Sequence, residues 1–154
     1  MVTLIEDTRQ QAKKHELKRA YFADHGINVI RSKLPVGDYA LLTDLSTIID
    51  TKKDLQEVIG NVTTGHKAFV AECETAKQAG IRLIILIEQD DITCMDDVYR
   101  WYNPRLGISP KATTGRTLGK IMHGMQVRHG VEWMFCKRVE TGKRILELLG
   151  VNQF

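Results

Sequence analysis

The sequence predicts an α/β fold in which a central mixed β-sheet is flanked by helices. Segments with strand periodicity alternate with segments of helical periodicity, in the order strand, helix, three strands, helices, strand, helix, strand, helix. Residues 83–87 form an uninterrupted apolar run, which is typical of a central strand buried on both faces. A chain of 154 residues with 43% hydrophobic content can form one sizeable core, so we expect one domain over residues 1–154.

The first half of the chain alternates between strand and helix patterns. Apolar and β-branched runs predict strands over residues 2–5, 27–30, 39–42 and 47–51. A helical stretch from about residue 10 to residue 25 ends at Gly26, because glycine commonly follows the last helical residue. Asp54 is placed to cap the next helix, and a further helix ends at Gly80.

The second half continues the alternation after the central strand. An acidic turn around Asp90 and Asp96 follows that strand, and residues 103–117, rich in Pro, Gly and Thr, predict a loop. Apolar residues at helical spacing from Leu118 onward predict a helix that ends at Gly130. The closing elements are a strand over residues 131–136 and a helix over residues 142–149.

Two short motifs carry the candidate chemistry: residues 37–39, Gly-Asp-Tyr, and residues 50–52, Asp-Thr-Lys. Because side chains alternate along a strand, Asp50 and Lys52 point to the same face, and Asp38 arrives from a preceding strand or turn. Two carboxylates can hold Mg²⁺ or Mn²⁺. A nearby lysine can orient the attacking water, help to deprotonate it or stabilise charge on phosphorus. This set favours phosphodiester hydrolysis by a metal-dependent nuclease.

Each motif also has a simpler interpretation. The acid-x-lysine pattern occurs by chance in a chain with 27% charged residues, and residues 16–18, Glu-Leu-Lys, repeat it within a helical stretch. Asp50 and Lys52 would then form a solvated strand end. Asp38 would be a turn residue that bonds its own backbone, and Asp7 would cap the first helix.

A basic segment gives a second, independent signal. Between Val98 and Val131 there is no acidic residue, whereas the basic residues are Arg100, Arg105, Lys111, Arg116, Lys120 and Arg128. Basic groups in a loop rich in Gly and Thr suit phosphate contacts, and the neighbouring Trp101 and Tyr102 suit stacking on an unpaired base. The alternatives are a solvated basic loop and packing roles for the two aromatic residues.

Several other functional classes are not indicated. No apolar run is long enough to cross a bilayer, and the N-terminus lacks the features of a signal peptide, so we expect a soluble, cytoplasmic protein. Cys73, Cys94 and Cys136 are far apart, which predicts neither a disulfide framework nor a zinc site. We therefore expect a reduced intracellular protein without a structural metal.

The order and spacing of the motifs resemble the nuclease domain of the XPF-type structure-specific endonucleases, a branch of the PD-(D/E)XK superfamily. Residues 7–9, Asp-Thr-Arg, match the family's opening Asp-x-Arg-Glu, with Gln10 in place of the Glu. Residues 37–39 match its Gly-Asp-Tyr motif, and residues 50–52 stand where it has Glu-Arg-Lys. Residues 86–88, Leu-Ile-Glu, match the end of its following apolar strand. The resemblance spans most of the chain.

The resemblance implies a restriction-endonuclease-like PD-(D/E)XK core and a DNA endonuclease that acts in repair, recombination or replication. It implies that Asp7, Asp38 and Asp50 bind the metal, Mg²⁺ or Mn²⁺. Lys52 would be the catalytic lysine, and it would act together with the carboxylates of Asp38 and Asp50. The small form without a helix-hairpin-helix module is similar to nucleases encoded by phages and bacteria, so we expect the cytoplasm of a bacterial or phage-infected cell.

Departures from the family pattern keep other hypotheses open. Thr51 replaces an arginine and Gln10 replaces a carboxylate, which favours a catalytically silent module of the same fold that binds DNA or dimerises. Retention of Asp38, Asp50 and Lys52 favours the enzyme. A junction-resolving nuclease from another PD-(D/E)XK branch is a third hypothesis.

The expected partners are DNA, including branched DNA, and a second copy of the chain. The residues expected to contact DNA are Arg9, Lys67, Arg105, Lys111, Arg116 and Lys120. XPF-type nuclease domains associate in pairs, which implies a homodimer. The candidate contact surface is the apolar face of the last two helices, Leu118, Ile121, Met122, Met125, Ile145, Leu146 and Leu149. The alternative is that both helices use these faces for the core of one chain.

Overall fold

A mixed six-stranded sheet organises the computed structural model, which describes residues 1–10 and 15–151. The strands are β1 (Thr3–Glu6), β2 (Asn28–Arg31), β3 (Tyr39–Leu41), β4 (Asp44–Lys52), β5 (Arg82–Glu88) and β6 (Glu132–Cys136). Their order across the sheet is β2-β1-β3-β4-β5-β6, and β3 alone pairs antiparallel with its neighbours. The predicted α/β class with a central mixed sheet is confirmed.

Helices cover both faces of this sheet. They are α1 (Glu16–Asp24), α2 (Leu55–Val62), α3 (His66–Gln78), α4 (Met95–Arg100), α5 (Gly115–His129) and α6 (Thr141–Leu148). Alternate side chains of β5 enter two separate cores. Ile85 packs in the core that contains residues of α2 to α5, whereas Ile84 packs in the core that contains residues of α1 and α6. The strand is therefore buried on both faces, as its apolar run predicts.

Several predicted helix ends are confirmed. Asp54 caps α2 by accepting a hydrogen bond of 2.9 Å from the Glu57 backbone N–H. Gly130 adopts the left-handed conformation directly after α5. The first helix begins at Glu16 rather than near residue 10, and residues 11–14 of the predicted helix lie outside the described part of the chain.

The sequence prediction missed two features of the segment between β5 and β6. The predicted acidic turn contains α4, whose first turn holds Asp96 and Asp97, where acidic side chains suit the positive end of the helix dipole. Of its six residues only Val98 is buried, so the helix shows no apolar periodicity. The predicted loop contains a short 3₁₀ helix (Pro104–Gly107), and α5 starts three residues before Leu118 because Thr114 caps it.

The apolar face proposed as a dimer contact lies inside the single chain. Leu118, Met122 and Met125 of α5 are fully buried in one core, and Ile145 and Leu146 of α6 are fully buried in the other. The expectation that this face mediates dimerisation is therefore wrong, because both helices need it to cover the sheet. Among the described residues, no helix is long and apolar enough to cross a membrane.

The topology brings the ends of several strands to one edge of the sheet. Strand β1 runs in the same direction as β4, β5 and β6, because β3 is antiparallel to both β1 and β4. Their carboxyl ends therefore share one edge, where Asp7, Lys52 and Glu88 lie. Asp38 precedes the antiparallel β3, so it reaches the same edge from the opposite direction. The sequence motifs converge there.

Candidate active site

Asp38 is held between the ends of two strands by backbone hydrogen bonds. Its N–H donates to the carbonyl oxygen of Ile49 on β4 at 2.8 Å, and its own carbonyl oxygen accepts from the N–H of Asp7 at 2.8 Å. The preceding Gly37 has φ +69°, and a Cβ there would lie 2.7 Å from Ile48 Cγ2 and 3.1 Å from the Ile49 carbonyl oxygen. Glycine is thus required both for its backbone conformation and for space.

The carboxylate of Asp38 is oriented by Thr51. Its Oδ2 accepts the Thr51 backbone N–H at 2.8 Å and the Thr51 hydroxyl at 3.0 Å. Asp38 is half-buried, so these bonds keep one carboxylate oxygen in place at the edge of the sheet. The residue that replaces the family's arginine therefore belongs to the site, which the sequence did not indicate.

Asp50 is a buried carboxylate with an unused acceptor. The residue is 5% exposed, and its Oδ2 has no hydrogen-bond partner among the described residues. The Lys52 ammonium nitrogen lies 3.1 Å from this oxygen, outside hydrogen-bonding geometry. Burial, with the negative charges of Asp38 and Glu72, raises the pKa of Asp50 well above its ordinary value, although Lys52 acts in the opposite direction.

Lys52 lies in surroundings that favour its charged form. Burial alone would lower the pKa of Lys52, but the negative charges of Asp50, Glu57 and Glu72 outweigh burial and raise it. The Glu57 carboxylate lies 4.0 Å from the ammonium nitrogen. The side chain therefore remains an ammonium, which can orient a water or stabilise charge on phosphorus. The sequence had left general-base action open, and this electrostatic environment does not favour it.

Glu72 of α3 is a site residue that the sequence reasoning missed. Its Oε1 accepts the Gly37 backbone N–H at 3.2 Å, and it lines a cleft of about 410 Å³ together with Asp38, Asp50 and Lys52. The available signal was its position next to the buried stripe of α3, one residue before Cys73. The stripe packs on the face of β4 that carries Asp50, so the neighbouring carboxylate reaches the cleft.

The donor set fits a hard divalent cation held by few protein ligands. Asp38 and Asp50 offer carboxylate oxygens, and Oδ2 of Asp50 is buried without a hydrogen-bond partner among the described residues. Within the described residues, no three His, Cys, Asp or Glu side chains already form a ligand cluster. Mg²⁺ commonly binds one or two carboxylates and keeps several waters, so a two-carboxylate site suits it.

Comparison with known protein families gives one decisive result. The model of the ERCC4 domain matches residues 6–148. The chain belongs to the ERCC4 domain family. The match covers the motifs around Asp7, Asp38 and Asp50, and the resemblance inferred from those motifs is confirmed. A comparison with curated proteins gave no match.

Solved structures share the fold of this ERCC4 domain. XPF from Aeropyrum pernix is 20% identical with a TM-score of 0.66, over 96% of this chain and 59% of that chain. XPF from Aeropyrum pernix in complex with DNA is 19% identical with a TM-score of 0.66, over 97% of this chain and 63% of that chain. The chain thus spans about three fifths of these relatives. The restriction-endonuclease-like fold is therefore shown.

Asp7, the third predicted metal ligand, has hydrogen bonds to both of its carboxylate oxygens. It is fully buried, and its Oδ2 accepts from Arg9 Nε at 2.6 Å, whereas its Oδ1 accepts the Leu34 backbone N–H at 2.7 Å. These hydrogen bonds outweigh burial and lower the pKa of Asp7. Since both oxygens are engaged, the arrangement favours a structural role over direct metal binding. The carboxylate supports the loop that leads to Asp38.

Arg9 is held in place at the mouth of the cleft. Its side chain is 61% exposed, yet its guanidinium bonds the Asp7 carboxylate and the Leu34 carbonyl oxygen, at 3.2 Å for the latter. Arg9 borders the 410 Å³ cleft and also a second cleft of about 630 Å³, which is lined in part by residues of α1. An arginine pre-oriented in this way suits a phosphate contact.

The second cleft contains a buried ion pair. Lys18 of α1 lies 3.2 Å from the Glu88 carboxylate, with both side chains less than one tenth exposed, and Lys18 also contacts His15 Nδ1 at 2.9 Å. Asp38 and Thr51 line this cleft as well. Glu88 therefore has a structural partner in Lys18 of α1.

The remaining residues expected to contact DNA are on the surface. Lys67 is the second residue of α3 and is exposed. All six basic residues of the segment are exposed as well, including Arg105, Lys111, Arg116 and Lys120. Trp101 packs against the core and is only partly exposed, whereas Tyr102 is 66% exposed. Of the two aromatic residues, only Tyr102 is thus available to a nucleic acid.

Proposed function

We propose that this ERCC4 domain is an endonuclease that hydrolyses phosphodiester bonds of DNA by water attack, with Mg²⁺ or Mn²⁺ as cofactor. The observation that carries the proposal is the Asp50 carboxylate, which is buried beside the Asp38 carboxylate and the Lys52 ammonium with one oxygen unpartnered. A buried carboxylate oxygen that makes an ion pair with Lys52 but no hydrogen bond still has unsatisfied acceptor capacity. A divalent cation satisfies that capacity.

Each residue of the cleft has a distinct task in this proposal. Asp38 and Asp50 hold the cation, and a bound ion would lower the pKa of its water and neutralise a phosphate oxygen. The Thr51 hydrogen bonds keep the Asp38 carboxylate aimed at the cleft. The Lys52 ammonium orients the attacking water or stabilises the pentacoordinate phosphorus. Glu72 can accept a hydrogen bond from a water in the same cleft.

Substrate binding is proposed to involve the exposed basic residues. Arg9 contacts the phosphate next to the cleaved bond, because its guanidinium is already oriented at the cleft. Lys67 and the basic segment on α5 and the preceding loop extend the positive surface, where no acidic residue interrupts the sequence from 98 to 131. Such contacts position the duplex without reading its sequence.

The biological setting is proposed from the family resemblance. It supports a role in DNA repair, recombination or replication, action on branched DNA, and a small phage- or bacteria-encoded form that works in the cytoplasm. It also supports a single nuclease domain over residues 1–154 and a homodimer. Since the apolar faces of α5 and α6 are buried, the dimer would use another surface. Light scattering at concentrations on the order of tens of micromolar tests the dimer.

The decisive experiment measures cleavage of labelled duplex, flap, fork and four-way DNA with Mg²⁺ or Mn²⁺. We expect Asp50→Ala and Lys52→Ala to abolish cleavage while DNA binding, measured by fluorescence anisotropy, persists. Asp44→Ala is the matched control, because Asp44 is an exposed carboxylate at the opposite end of the same strand. Cleavage by the two active-site variants at the wild-type rate would contradict the proposal.

A catalytically silent DNA-binding module is the second candidate. The observation that favours it is Thr51, which replaces the family's arginine beside the cleft. Wild-type protein that binds all four DNA substrates and cuts none of them with either metal would establish this candidate. Metal binding separates the two further, because a silent module has no need to bind Mn²⁺ through Asp50.

A further inference from the structure

Residues 103–113 form an ordered loop, here called the Asn103 loop, whose base is held by one buried side chain. Asn103 is 1% exposed, and its Nδ2 donates to the carbonyl oxygen of Thr113 at 2.7 Å. Its Oδ1 accepts the Gln56 amide at 2.6 Å and the Arg105 backbone N–H at 3.0 Å. A single amide thus joins both ends of the loop to each other and to α2.

Internal hydrogen bonds give the rest of the loop a defined shape. The 3₁₀ helix (Pro104–Gly107) is followed by two N–H groups that donate to the Arg105 carbonyl oxygen, from Ile108 at 3.0 Å and from Ser109 at 2.8 Å. The Ala112 N–H then donates to the Ser109 carbonyl oxygen at 3.1 Å. The backbone of the loop is therefore held in one conformation by its own hydrogen bonds, up to the exposed tip.

The tip carries an apolar side chain in basic surroundings. Ile108 is 89% exposed, and among the large apolar residues of the described chain only Met1 is more exposed. Arg105 and Lys111 flank it in the loop, and both are exposed. A single isoleucine is too small for a stable protein interface, which buries roughly 800 Å² per partner. Its size suits the space between two neighbouring bases, and the flanking cations suit phosphates.

The loop is linked to the candidate active site through α2. Gln56, which bonds Asn103, lies on the first turn of this helix. The helix cap Asp54 follows Lys52 by two residues, and α2 starts at the sheet edge where the cleft lies. DNA held by the Asn103 loop therefore lies on the side of the molecule that carries Asp50 and Lys52.

We propose that the Asn103 loop inserts Ile108 as an apolar wedge at a base step of the DNA, while Arg105 and Lys111 contact the phosphates on either side. This inference rests on the proposed nuclease function and names a residue that opens the stack near the cleaved bond. Apolar side chains inserted in this way unstack neighbouring bases and kink the duplex. A loop with a preformed shape loses little conformational freedom when it inserts, which favours this use.

The test uses DNA with 2-aminopurine at successive positions within half a helical turn of the cleaved bond. Its fluorescence rises when the base is unstacked. Every protein in this fluorescence experiment also carries Asp50→Ala, so that the DNA stays uncut. We expect a rise at one or two neighbouring positions, loss of most of that rise with Ile108→Ala, and its recovery with Ile108→Leu. Leu42→Ala is the control, because Leu42 is a half-exposed apolar residue in the β3–β4 turn, far from the cleft.

The outcomes separate the wedge from the nuclease. Cleavage by the protein without Asp50→Ala, together with no fluorescence change at any position, would overturn the wedge and leave the proposed function intact. An equal fluorescence rise with Ile108→Ala would do the same. A rise that depends on Ile108 in a protein that cuts no DNA would support the wedge within a silent module instead.

Discussion

Thr51 donates two hydrogen bonds to one oxygen of Asp38, from its backbone N–H at 2.8 Å and from its hydroxyl at 3.0 Å. The two residues are thirteen positions apart, and Thr51 lies on the strand that also carries Asp50 and Lys52. Thr51, which stands where the family has an arginine, therefore links the Asp38 carboxylate to the strand that carries Asp50. It sets the relative positions of Asp38 and Asp50, two of the three predicted metal ligands.

Replacing Thr51 tests this link. Thr51→Val keeps the shape and the backbone hydrogen bond but removes the hydroxyl, so the Asp38 carboxylate is oriented less well. We expect a fall in kcat of about tenfold, which corresponds to about 1.4 kcal/mol. Thr51→Ser keeps a hydroxyl and is expected to stay near wild type. Equal activity of the valine and serine variants would show that the side-chain bond is dispensable.

Gly37 is predicted to be intolerant of any side chain. Gly37→Ala adds a Cβ that would lie 2.7 Å from Ile48 Cγ2, at a backbone φ of +69°. We expect a loss of at least about 2 kcal/mol in the free energy of unfolding, together with loss of cleavage. Urea denaturation measures the first effect.

A second glycine isolates the backbone contribution to that loss. Gly26 has φ +67° with nothing within 4 Å of an added Cβ, so Gly26→Ala is strained without a clash. Its expected cost is about 1 kcal/mol. If Gly37→Ala and Gly26→Ala lost similar amounts of unfolding free energy, the Ile48 side chain would be moving aside at little cost.

Asp7 is predicted to stabilise the fold, whereas Asp50 destabilises it in the absence of metal. Asp7→Asn removes the charge that bonds Arg9 and weakens the acceptor for the Leu34 N–H, so we expect a loss of about 2 kcal/mol. Asp50→Asn removes a buried charge beside Asp38, so we expect the metal-free protein to become more stable. Thermal unfolding in EDTA compares the two variants.

Metal titration completes the comparison of Asp7 and Asp50. Wild-type protein is expected to gain stability on addition of Mn²⁺, and Asp50→Asn is expected to lose that gain. Asp7→Asn is expected to retain it. If Asp7→Asn instead raised the stability of the metal-free protein and abolished the gain, Asp7 would be a ligand, as the resemblance implied.

The buried carboxylate of Glu6 predicts acid sensitivity. It accepts hydrogen bonds from Arg19 at 2.6 Å and from the Tyr39 hydroxyl at 2.8 Å, and Arg31 lies 2.6 Å away. Burial would raise the pKa of Glu6, but the hydrogen bonds from Arg19 and Tyr39 and the charges of both arginines together lower it below 4.5. The ionised form therefore stabilises the fold above about pH 4.5, and this contribution is lost as the pH falls through the folded pKa.

The Glu6→Gln variant measures that contribution. We expect it to be less stable than wild type at pH 7, with a difference that shrinks as the pH falls below 4.5. Asp24→Asn changes an exposed carboxylate on α1 and serves as the control for a general charge effect. A difference between wild type and Glu6→Gln that stays constant down to pH 3 would assign the loss to packing alone.

Local patterns predicted much of the fold because each depends on neighbours in the sequence. The apolar run in β5 and the cap at Asp54 follow from such patterns, and both are confirmed. Helix α4 was missed because a six-residue helix with one buried side chain has no periodicity to detect. Its close packing against α5 requires Gly115, where a Cβ would lie 2.5 Å from the carbonyl oxygen of Val98 in α4, a contact that no local pattern encodes.

The sequence by itself determined the fold class, the family and the residues Asp38, Asp50 and Lys52 as one candidate set, because strand alternation and motif order are local properties. Only the tertiary structure decided how neighbouring carboxylates differ. Asp7 forms an ion pair with Arg9, Asp38 is oriented by Thr51, and Asp50 lacks a hydrogen-bond partner for one oxygen. Those differences arise from burial and from contacts that folding creates, such as the Leu34 N–H on Asp7 and the Thr51 hydroxyl on Asp38, which set the electrostatic environment of each carboxylate.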